Sequence, residues 1–279
     1  MKPRPKLRKR SKKSLLKLKP LLDQINDEVE VPDYIQDDPV QFMHAFTDKR
    51  DREIAGFFAA LMAWGRRDIV VSKVDDLLHR MDYKPRQFVI NYSQSDFSLF
   101  NGFKHRTFKP IDMHGLTLTL QQILKSYSDF EEFWAECYEL AMKTNRPVTG
   151  VFYERFLNRH PDFAERTKKH LSNPENGSAA KRIYMFLRWC CRKNSPVDTG
   201  IWSFMDSSEL YIPFDVHVAR QARRYGLLSR RTDDWKSVVE LTETLRVLDA
   251  DDPARYDYAL FGIGALGYTL PKNFLLNRV

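Results

Sequence analysis

The chain has 279 residues, with 45 Lys and Arg against 37 Asp and Glu and a formal net charge of +8. A hydrophobic fraction of 43% with 13% aromatics argues against disorder and allows one large domain or two lobes, each with a core. The longest uncharged apolar stretches, Ile54–Gly65 and Tyr258–Pro271, are shorter than the ~20 residues of a membrane-spanning helix, and Lys17 and Lys19 interrupt the leucines that a signal peptide would need. Three cysteines, Cys137, Cys190 and Cys191, form no disulfide framework and supply no four-thiolate zinc or iron–sulfur site. A cytoplasmic protein with reduced thiols is expected, with no cofactor, no metal, no membrane association and no obligate protein partner.

The positive charge is unevenly placed. Residues 1–20 hold ten basic residues and no acid. Without them, 35 basic residues face 37 acidic ones, a net of −2. Residues 1–20 are predicted to be a disordered basic tail, either solubilising or a non-specific nucleic-acid arm. Its removal is expected to weaken DNA binding and to leave any chemistry intact. From residue 21 the pattern is helical. Asp38-Pro39 reads as an N-cap followed by proline at the first helical position. Asp51–Trp64 carries apolar residues at Ile54, Phe57, Phe58, Leu61 and Met62 and stops at Gly65. Further helices are predicted over Asp68–Met81, Met113–Tyr127, Phe130–Met142, Val148–Leu157, Phe163–Leu171, Ala179–Arg192, Val216–Tyr225, Trp235–Leu248 and Pro253–Leu266. Turn formers fill Ser172–Ser178. The fold class is all-α, with a central lobe over about 50–195 and a second lobe from about 21–49 plus 196–279.

Two segments suggest chemistry. In Gly177-Ser178-Ala179-Ala180-Lys181-Arg182 a turn leads into a helix with a lysine in its first turn. The partial positive charge there disfavours the ammonium form and predicts a lowered pKa, as imine-forming catalysis requires. The same pattern fits a lysine that points to solvent. In Pro213-Phe214-Asp215-Val216-His217-Val218, Asp215 stands at a helix start. It is either an ordinary N-cap or a carboxylate kept ionised to face developing positive charge. His217 reads as a structural partner. Lys181, Arg188 and Arg192 share a helical stripe that faces phosphates or solvent.

A turn, a helix bearing a lysine, and a later aspartate at a [VF]-D-x-H-[VI] helix start resemble the helix–hairpin–helix DNA glycosylases. The resemblance implies two helical lobes around a cleft, Lys181 as the nucleophile at the sugar C1′, and Asp215 as the carboxylate that stabilises the cationic sugar. Ala59–Ile69 is similar to the superfamily's wedge region, so Trp64 or Arg66 is expected to enter the duplex when a nucleotide flips, although Trp64 also fits a core. Asp257 and Phe261, on the closing helix, correspond to the base pocket or to core packing, and Asp257 among apolar neighbours is expected to pair with an arginine. Two departures stand out: Asn173–Ser178 keeps one glycine of the hairpin, Gly177, and Asp198 is a rival carboxylate only 17 residues after Lys181.

The stretch from about 30 to 270 resembles more closely the domain-of-unknown-function family 2400. The matching segments are Ala63-Trp64-Gly65-Arg66, Lys181-Arg182 with Met185–Trp189, Asp198–Trp202, Pro213–Val218, and Asp252-Pro253 with Tyr256–Gly262. Together these readings predict a DNA glycosylase, with or without AP-lyase activity, that acts in base excision repair on a base flipped from duplex DNA. Arg182, Arg188 and Arg192 are expected to contact DNA. The alternative is a non-catalytic DNA- or RNA-binding protein on the same fold.

Overall fold

The computed structural model describes residues 6–160 and 163–277. The protein is all-α. Among the described residues, extended pairing is limited to the isolated bridges His105–Phe108 and Ser178–Asp234. No helix among them is long and apolar enough to cross a membrane.

The chain forms two compact units. The first comprises residues 1–34, 174–200 and 206–279, and the second residues 35–173 and 201–205. This partition departs from the expected lobes. The helix Lys181–Cys191 belongs with the C-terminal residues, because Arg188 and Arg192 find their carboxylate partners there.

In the second unit, local signals start and stop the helices. Asp48 caps Lys49–Met62 by accepting from Arg50 N at 2.8 Å. The apolar face of that helix buries Phe57 and Phe58 against an aromatic cluster. Phe57 meets Phe130 edge-on at 5.2 Å, and Trp134 stacks on Phe152 at 3.9 Å. Asp129 caps Phe130–Thr144, which ends at a left-handed Asn145. The buried Glu53 carboxylate accepts from Phe130 N at 3.0 Å, Glu131 N at 3.2 Å and Trp202 Nε1 at 2.7 Å. Burial pushes the Glu53 carboxyl up to about 7. Near Asp38 the helix starts later than the sequence suggests, at Gln41. The Asp38 carboxylate instead accepts from Val40 N at 3.1 Å.

In the first unit the segment expected to be a loose tail is built into the fold from residue 7. Residues 1–5 lie outside the described residues. Leu7 N donates to Ser229 O at 2.9 Å, and Arg10 N donates to Gly226 O at 3.0 Å. The Arg10 guanidinium donates to Tyr225 O and Phe274 O. A short helix Lys12–Leu16 follows, then Lys19–Val29. Leu15, Leu18 and Leu22 are buried. Burying a leucine is worth roughly 1.5–3 kcal/mol. The leucines spaced among the lysines therefore decide the structure, and residues 1–20 are not detachable at residue 20.

Candidate active site

The helix Lys181–Cys191 begins without a side-chain cap. Ala180, the residue before it, is buried and left-handed at φ 48°, a conformation that costs an L residue roughly 1–2 kcal/mol. Two features hold it there. Ser178 Oγ accepts from Ala180 N at 3.1 Å, and the turn is pinned where Trp235 N donates to Gly177 O at 3.2 Å. Trp235 stacks on Tyr184 at 5.2 Å. The Ser178 hydroxyl is legible in the sequence; the strained alanine is not.

Lys181 is half-buried, and its amine lies 3.4 Å from Met185 Sδ. No carboxylate among the described residues comes within ion-pair distance of it. Arg182 is half-buried as well, and burial pushes its guanidinium down to about 10.

Asp215 caps Val216–Arg224. Its Oδ1 accepts from His217 N at 2.8 Å and Val218 N at 3.0 Å. Oδ2 makes no hydrogen bond among the described residues. His217 is structural, as expected. Its Nδ1 meets Gly264 O at 3.0 Å, and its ring lies edge-on to Phe261 at 6.0 Å. A Cβ on Gly264 would come within 2.8 Å of His217 Cβ, so glycine permits this close approach of Val216–Arg224 to Tyr256–Ala265. The approach places Asp215 beside the helix that carries Asp257 and Phe261.

Asp257 brings the constellation together. Burial pushes its carboxyl up to about 6, against the pull of Arg188; the neighbouring Asp215 carboxylate pushes it up further and Lys181 pulls it down. The Asp257 carboxyl therefore feels the charges of both Lys181 and Asp215 within the first unit. The expected arginine partner of Asp257 is Arg188.

The remaining expected contacts divide. Arg188 and Arg192, read as phosphate contacts, are each only 3% exposed. Arg188 pairs with Asp257 and with Asp198 at 3.2 Å, donates to Tyr258 Oη at 3.0 Å, and stacks over that ring at 4.2 Å. Arg192 pairs with Glu30, with Asp198 at 2.9 Å and with Asp252 at 2.8 Å. Unpaired burial of either charge would cost several kcal/mol, and the carboxylates remove that cost. Both arginines are thus committed to the interior and present no face to DNA. Asp198 is likewise consumed: it is buried, and it accepts from Arg188, Arg192 and Tyr258 Oη. The rival carboxylate is a structural counter-ion.

Trp64 and Arg66 belong to the second unit. Arg106 stacks over the Trp64 ring at 4.9 Å. Gly65, at φ 105°, lets the chain pass that guanidinium, which would lie 2.8 Å from an added Cβ. Arg66 is highly exposed and pairs with Asp68 at 2.6 Å. Also in that unit, Glu53, Asp129 and Glu131 hold ligand oxygens within 4.8 Å of one another. Lys49 already supplies the cation there, 2.8 Å from Asp129 and 3.8 Å from Glu53.

The molecule is thus an all-α protein with a lysine and two carboxylates gathered at helix starts of one unit. The chain belongs to the family described as Protein of unknown function (DUF2400), whose model matches residues 38–266. No curated protein and no solved structure matches the chain.

Proposed function

We propose that the protein is a DNA glycosylase with AP-lyase capacity, acting in base excision repair in the compartment that holds the chromosome. The carrying observation is that Lys181, which has no carboxylate within ion-pair distance among the described residues, acts on the same carboxyl, Asp257, as does Asp215.

In this reading the Lys181 amine, after losing a proton to water, attacks C1′ of a flipped nucleotide. The Nζ–C1′ bond forms while the glycosidic bond breaks, and its electron pair leaves with the base, which is protonated from solvent. Asp215 keeps its free Oδ2 toward the positive charge that develops on the sugar, and its Oδ1 stays fixed by two N–H donors. Ring opening then converts the aminal to an imine, which permits strand cleavage by β-elimination. Asp257 and Phe261, on the neighbouring helix, serve the base. Trp64 and Arg66 serve as duplex contacts, with Arg66 able to exchange Asp68 for a phosphate.

The test is kinetic. Duplexes carrying uracil, 8-oxoguanine or an abasic site are incubated with wild type, Lys181→Gln and Asp215→Asn. The reading expects base release or strand nicking by wild type, loss of at least about a hundredfold in either variant, and duplex affinity within about twofold of wild type. Affinity that collapses in Lys181→Gln, with no turnover by wild type, would instead identify a binding protein that uses Lys181 on a phosphate.

A further inference from the structure

The surplus positive charge has a defined place on the first unit. Backbone bonds from Leu7 and Arg10 and the amide of Asn277 fix residues 7–10 along the C-terminal end of Val216–Arg224. Asn277 Nδ2 donates to Arg8 O at 2.9 Å and Arg223 O at 2.7 Å, and Asn277 N donates to Arg224 O at 3.1 Å. The helix Lys12–Leu16 continues from there. Lys6, Arg8, Lys12, Lys13, Lys17 and Arg224 are all exposed, and none has an ion-pair partner among the described residues. Lys9, by contrast, lies 3.6 Å from Glu240, and Lys19 lies 2.9 Å from Asp23.

We propose that these six cations form a fixed strip that tracks the phosphate backbone of duplex nucleic acid. Two physical points carry this. First, cations that repel one another are kept in register by backbone bonds, so the ordering cost is met before a polyanion arrives. Second, the leucines of this segment turn inward: Leu15 and Leu18 are buried and only Leu16 is exposed. Adsorption to an anionic membrane needs an outward apolar face, whereas this segment offers a single exposed leucine, Leu16. A soluble polyphosphate is the partner that fits. The strip begins at the far end of the helix that Asp215 caps. That helix has nine residues and is thus roughly 13 Å long at ~1.5 Å per residue. The choice of duplex DNA rests on the glycosylase reading, whereas the strip itself does not.

The experiment uses the full chain and an undamaged 25-base-pair duplex, with affinity followed by anisotropy between about 50 and 300 mM KCl. The triple variant Lys12→Gln/Lys13→Gln/Lys17→Gln is compared with its charge-keeping Arg counterpart. The glutamine variant is expected to bind at least about tenfold more weakly near 100 mM salt, and its log–log salt slope to be shallower by up to ~2.7, about 0.9 per lost contact. The Arg variant stays at the wild-type value. Arg10→Ala, which unties the strip at Tyr225 and Phe274, is expected to lower the slope by more than its one charge. Wild-type affinity and slope in the glutamine variant would overturn the proposal. So would binding of the wild type, but not the glutamine variant, to phosphatidylserine vesicles with no difference between them on DNA. The two readings fail separately. A strip variant that binds like wild type while Lys181 chemistry persists removes the strip alone. A wild type that shows the salt slope but no chemistry removes the glycosylase alone.

Discussion

The first and last turns of the helix Lys181–Cys191 carry the same kind of residue with opposite fates. At the first turn, Lys181 is half-buried with a methionine sulfur for company. At and just past the last turn, Arg188 and Arg192 are sealed among Glu30, Asp198, Asp252 and Asp257. At ~100° per residue the three lie on one face. What lies opposite each turn of the helix decides whether a cation on that face is paired in the interior or left without a carboxylate. The paired end holds Asp257 in place, and Lys181 at the open end acts on it through its charge alone.

The largest effect is expected at the paired end. Arg188→Ala leaves Asp198 and Asp257 without their shared counter-ion and should cost about 3–5 kcal/mol in urea unfolding. Near-wild-type stability would break the contrast between the two ends. The second unit offers a parallel case in Glu53, where an acid rather than a base is sealed in. Its carboxyl, ordinarily near 4.5, stands at about 7 in the folded chain. The folded state therefore binds more protons than the unfolded state between those values, and this group's contribution to stability falls as pH rises from 4.5 to 7 and is flat above. The fall is roughly 3.5 kcal/mol at most, at ~1.4 kcal/mol per pH unit. Glu53→Gln should flatten it, as read from urea midpoints at pH 5 and pH 7.5.

Smaller changes sharpen the open end. Ala180→Gly relaxes the left-handed residue before Lys181 and should raise stability by up to ~1 kcal/mol. A loss would mean that the alanine methyl contributes more than its backbone costs. Lys181→Gln should move the thermal midpoint least, by the equivalent of about 0.5 kcal/mol or less, because no ion pair is broken.

Much of this was legible in the sequence. A short acid before an apolar period located the Asp215 cap, and Val148–Leu157 runs between the residues expected of it. The helical spacing of Lys181, Arg188 and Arg192 was equally plain. What spacing does not convey is what lies opposite a face. The partner of Arg192, Glu30, is 162 residues away, and only tertiary packing selects it over solvent or phosphate. The tail expectation failed for a related reason. Ten cations dominate the composition of residues 1–20, but two buried leucines and an arginine bonded to backbone carbonyls fix the structure from residue 7 onward. Ala180 gave no signal, since no residue type announces a strained backbone held by its surroundings.

Under the proposed function, Lys181 is the amine that carries the covalent step. Borohydride reduction of wild type on an abasic duplex, followed by peptide mass spectrometry of the adduct, tests it most directly. A single sugar adduct on Lys181 is expected, abolished in Lys181→Gln and retained in Asp198→Asn variants that stay folded. An adduct on another lysine, or none on a duplex that the protein demonstrably binds, would contradict it.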